Sequence, residues 1–149
     1  IAGAGGIRRS EITLPEPNPS LPGISSLVLV DRAEKMTGDR SVPLRAGDVL
    51  LYPVMSDRIR KSEHPRLDFF FSLYSTGEVP HKAIIEVLHY STTLVRTPVD
   101  LSAPDSDGRI TYQGTLPLSN LPNGIYTLRI LVPTGDQAVA RSRRFIVED

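Results

Sequence analysis

A chain of 149 residues fits one domain and removes roughly 70% of its unfolded surface from water on folding, so it needs no covalent staple. Its 17 basic and 17 acidic side chains cancel, which leaves no summed field to draw it toward nucleic acid or an anionic membrane. The lack of cysteine excludes a disulfide framework and thiolate chemistry, and no apolar run reaches the roughly 18 residues that would predict membrane insertion.

The chain starts at Ile1 with neither a start methionine nor a basic-then-apolar leader, and is read as a piece of a longer protein. Residues 1–23, IAGAGGIRRSEITLPEPNPSLPG, are glycine-rich and then punctuated by proline. They are expected to form an arm or linker with at most one edge strand, around Ile12 and Leu14. The AGAGG run mimics a phosphate-binding loop but precedes no helix signal and lacks the Lys-Ser/Thr pair, so a flexible linker is the reading.

From residue 24 to 149 short runs rich in Val, Ile, Leu, Thr, Phe and Tyr alternate with turn residues. In order they are ISSLVLVDR, GDVLLYPV, RLDFFFSLY, KAIIEVLHY, TTLVRTPVDL, GRITYQGTLPL, GIYTLRILV and QAVARSRRFIV. The chain holds 13 prolines, and a proline content well above the usual ~5%, spread between these runs, leaves little room for long helices. Eight such runs predict an all-β fold, an immunoglobulin-like Greek-key β-sandwich of about 7–9 strands. Alternation assigns Leu67, Phe69, Phe71 and Leu73 to one core row and Tyr126, Leu128, Ile130 and Val132 to another. The segment PHKAIIEVLHYS also fits a short helix with proline in its first turn. Ile84 and Ile85 and the following STTLVRTPV favour a hairpin turning near residues 91 to 93.

The stretch LSNLPNGIYTLRILVP matches a tyrosine corner, in which a tyrosine hydroxyl bonds to backbone a few residues upstream. Leu121 would plug the core, Gly124 would serve the turn, and Tyr126 would reach back.

The runs ISSLVLVDRAE, PLRAGDVLLYPVMSDRIRKSEHPRLDFFFSLYSTGE and GRITYQGTLPLSNLPNGIYTLRILV together resemble the C-terminal immunoglobulin-like domain of bacterial von Willebrand factor A-related proteins. The resemblance spans about residues 24 to 149. It implies a β-sandwich appended to an adhesion-type domain in an exported chain, extracellular or periplasmic. The Asp-x-Ser-x-Ser metal motif of the A domain does not occur here, and the family supplies no catalytic residues to carry over.

Sites of chemistry compete with plainer readings throughout. In APDSDGRI, Asp105 and Asp107 are weak candidates for calcium, but the spacing completes no calcium loop and Asp-Gly is a favoured turn pair. His64, His81 and His89 are too scattered to suggest one zinc site: on one strand, His81 and His89 would stand about 27 Å apart. No nucleophile elbow occurs. Arg141, Arg143 and Arg144 are expected to face solvent and discourage edge pairing. Phe70 and Tyr74, opposite the core row, are candidates for an exposed aromatic strip that docks a partner strand or a sugar ring.

The expectation is a non-catalytic interaction or spacer module with no cofactor, whose partners are another protein or neighbouring domains of the same chain. Nucleic acid is not among them. The alternative is an accessory module binding glycan or calcium, and a hydrolase with an unrecognised triad is a remote third.

Overall fold

The computed structural model describes residues 21–37, 44–75 and 79–149. The expected edge strand around Ile12 and Leu14 lies outside them. The described residues form eleven strands in order: β1 (Gly23–Ile24), β2 (Val28–Lys35), β3 (Arg45–Ala46), β4 (Val49–Pro53), β5 (Arg58–Arg60), β6 (Arg66–Tyr74), β7 (Lys82–His89), β8 (Thr92–Asp100), β9 (Arg109–Pro117), β10 (Gly124–Thr134) and β11 (Gln137–Glu148). Among the described residues no helix is long and apolar enough to cross a membrane.

The strands make two sheets. One runs β1-β6-β2-β4-β3 with β9 on β6, and the other runs β5-β11-β10-β7-β8. All pairings are antiparallel except β5 with β11. Both expected core rows lie between the sheets. Leu67, Phe71 and Leu73 from β6 are fully buried with Phe69 nearly so, and they meet fully buried Tyr126, Leu128, Ile130 and Val132 from β10. A row of four such side chains removes on the order of 8 kcal/mol of apolar surface cost from water, at about 2 kcal/mol each. This period-two division into buried and outward rows is what fixes the register.

All eight expected runs form strands, and the count exceeds nine because of short pieces. A break at residues 25–27 separates β1 from β2, and two- or three-residue pairings form β3 and β5. Residues 82–89 are a strand rather than a helix, since the buried row Ala83, Ile85 and Val87 has a period of two. The β7–β8 turn falls at Tyr90 and Ser91, earlier than expected, because His89 pairs with Thr92.

One cross-strand contact in the first sheet depends on glycine. Gly114 of β9 stands opposite Phe69 of β6, and a Cβ at residue 114 would lie 2.4 Å from the phenyl ring. The ring therefore lies directly over bare backbone, and this is the close approach that a glycine within a strand permits.

Candidate interaction surface

Leu121 is half-buried and packs against the core, and its N–H donates to the Leu118 carbonyl at 3.0 Å. Gly124 has a φ of +157°, and an added Cβ would stand 2.8 Å from His89 Nε2. Tyr126 is fully buried and its hydroxyl donates to the Pro122 carbonyl at 2.8 Å. The ring is sandwiched by His89, with centroids 4.8 Å apart, and by Phe145 at 5.7 Å. Burial raises the Tyr126 hydroxyl above its usual pKa of 10.0, and the charge of Lys61 pulls it partly back. Lys61 Nζ closes the mouth of the corner by donating to the Leu121 carbonyl at 3.3 Å and pairing with Asp149 at 2.7 Å. Asn123 Nδ2 also donates to Asp149, at 2.8 Å.

The acidic turn is likewise built for structure. Asp105 Oδ1 accepts the N–H groups of Asp107 at 3.0 Å and Arg109 at 2.9 Å, while Oδ2 accepts from Arg109 Nε at 3.2 Å. The backbone bond from Arg109 is the main cause holding this carboxyl below its ordinary 3.8. Both oxygens are thus engaged in the turn that carries the chain from β8 in one sheet to β9 in the other. Among the described residues no three His, Cys, Asp or Glu side chains gather as metal ligands. His64 Nε2 lies 3.3 Å from Asp31, His81 is exposed, and His89 lies against Tyr126 and Tyr90.

Two expectations are corrected. Phe70 and Tyr74 do not form an exposed aromatic strip: Phe70 is only 6% exposed, while Tyr74 is 50% exposed. Phe70 belongs to a second apolar cluster with Val30 and Leu51, flanked by Val28, Leu44, Ala46 and Val49. Its strand has neighbours on both edges, so the outward row also finds apolar partners. The second correction concerns the arginines of β11. Phe145 and Val147 point into the core, and parity puts Arg143 and Arg141 on that row at its rim: Arg143 is half-buried rather than facing out, while Arg141 is exposed as expected. Arg141 Nε donates to the Ile24 carbonyl at 3.2 Å, and Arg143 pairs with Asp57 at 2.7 Å. Arg141 thereby ties β11 to β1 of the other sheet, while Arg143 ties it to the segment that leads into β5 of its own sheet. Arg144, of opposite parity, is exposed.

The outer face of the β5-β11-β10-β7-β8 sheet carries the arrangement that sequence reasoning missed. Register places Ser142, Arg129, Glu86 and Arg96 in one row across four strands. Glu86 is 1% exposed. Arg129 donates through Nε and its terminal nitrogen to Oε2, both at 2.6 Å, and Arg96 lies 3.1 Å from Oε1. A charge buried on an outward face is tolerable only because both oxygens are partnered. On one flank lies the row Arg144, Thr127, Leu88 and Thr93. On the other lies an apolar row of exposed Ala140 and Pro98 with half-buried Leu131 and Ile84. The only sequence signal was a lone glutamate inside the apolar run AIIEVLH.

Strand β8 ends this sheet among the described residues, and its residues are nearly all exposed. Leu94 and Val95 are 48% and 42% exposed, and Tyr90 at the turn is 68% exposed with a φ of 54°. Pro98 pairs with Ile84 but has no N–H to donate, and such a residue on an edge strand blunts strand addition.

No family model matches the chain, and no curated protein matches it either.

Proposed function

We propose that the chain is a non-catalytic interaction or spacer module, working through surface contacts rather than covalent chemistry. The observation that supports this reading best is the use made of its polar groups. Tyr126, Asp105, Arg141 and Arg143 each hold parts of the fold together, while the outer face of the five-stranded sheet sets an apolar row beside arginines. The immunoglobulin-like topology, and a place in a longer exported bacterial chain with partners among its own domains or other proteins, rest on the resemblance described above and belong to the same proposal. The accessory-module alternative loses support, since Phe70 is buried and Asp105 is engaged in its turn.

A photocrosslinking residue at position 140, on the apolar row, and another at Asp107 in the β8–β9 turn test the proposal in the cells that make the protein. Adducts of defined mass at 140 and none at 107 are expected. Ester or peptide turnover that is lost on replacing one serine would overturn it.

A further inference from the structure

Three features outside the corner invite a partner: the free β8 edge, the strained Tyr90 turn and the arginine-bearing outer face. The β8 edge is blunted by Pro98, and nothing fixes what would stack on Tyr90. The outer face carries its own statement of what it binds. Three arginines, Arg96, Arg129 and Arg144, stand on two adjacent rows with the single carboxylate of Glu86, which pairs with the first two, in a protein whose 17 cations and 17 anions balance overall.

We infer that this face docks an acidic segment of a partner protein, with carboxylates meeting Arg144 and its neighbours while apolar side chains lie along Ala140, Leu131 and Ile84. This inference rests on the interaction-module reading. Glu86 already shows the geometry: a guanidinium of this face takes a carboxylate through two nitrogens at 2.6 Å. Charge-assisted bonds of this kind are stronger than neutral ones. Glu86 also holds Arg129 and Arg96 in place, so less side-chain freedom is lost when a second carboxylate arrives. Arg144 is exposed and has no hydrogen bond or ion pair among the described residues, and Thr127 directly opposite adds a hydroxyl to the same spot. The half-buried Leu131 and Ile84 supply an apolar strip on the far side of the Arg129 row. A segment with an acidic stretch beside an apolar one would satisfy both.

The test uses a fluorescent peptide with a glutamate-rich half and a valine-rich half, its glutamine counterpart, a heparin-derived oligosaccharide and a single-stranded oligonucleotide, titrated against the whole chain. The glutamate peptide is expected to bind, to weaken as salt is raised, and to lose about fivefold in affinity with Arg144→Gln. Arg144→Glu should abolish binding. Both variants should keep the parent's urea midpoint, since Arg144 supports nothing else. Equal binding by Arg144→Gln, or equal binding of the glutamine peptide, would overturn the inference. So would Arg144-dependent binding of the oligosaccharide or oligonucleotide with the glutamate peptide silent. If position 140 still crosslinks a partner while the peptide fails, the acidic class falls and the interaction reading stands. If neither occurs, both fall.

Discussion

Replacing Tyr126 by Phe removes one oxygen from the centre of the corner and leaves the ring between His89 and Phe145. The lost interaction is the 2.8 Å bond to the Pro122 carbonyl, made by a fully buried side chain. A net hydrogen bond of this kind contributes about 1 kcal/mol, whereas emptying the ring site would cost about 3–5 kcal/mol. The expected loss is therefore near 1 kcal/mol, or a fall of about 2–4 °C in Tm for a chain of this size. Urea melts with an unchanged slope give the difference directly from the midpoint shift. The alkaline limb gives an independent signature. Burial raises the folded-state pKa of Tyr126 above 10.0, so its contribution is complete below pH 10 and is lost as pH rises through the folded value. Tyr126→Phe should shrink that alkaline loss without abolishing it, because burial raises Tyr112 too. An unmoved midpoint would refute the corner as a stabilising device, and a loss above about 3 kcal/mol would mean that the ring had moved as well.

Gly114→Ala should drive a methyl into the Phe69 ring and cost about 1–3 kcal/mol in the same melts, and pairing it with Phe69→Leu should recover part of the loss. Arg129→Ala, which strips the paired fork from buried Glu86, is expected to cost roughly 2 kcal/mol, against less than about 1 kcal/mol for the more exposed Arg96→Ala. Double-mutant cycles with Glu86 measure both. Since Asp105 has its pKa depressed below 3.8, the stability it adds is present above that value and lost as pH falls below it. Acid titration of Asp105→Asn should show a shallower decline there than the parent.

Much of the fold was legible because the strands obey a strict period of two. The rows from Leu67 to Leu73 and from Tyr126 to Val132 could be read directly from spacing, as could the corner from Leu121 to Tyr126. What escaped was whatever depends on register between distant strands. Nothing local tells Glu86 that Arg96 and Arg129 stand beside it, or Phe69 that it faces Gly114. Arg143 was different, since parity with Phe145 already placed it on the inward row, where it is half-buried. Charge was allowed to outweigh periodicity there, although a long guanidinium can reach a backbone carbonyl or a carboxylate at the rim. For β5, three residues give too little alternation to register beside two arginines.

The parallel seam between β5 and β11 bears on how the chain acquires its shape over time. Arg58 and Glu148, which pair across it, are 90 residues apart in sequence, so this seam cannot close until the segment between them has been laid down. Closing so large a loop is entropically slow and follows the more local hairpins. Until then Ile59 stays wet, and the docking of β5 on β11 should be the slow phase of refolding.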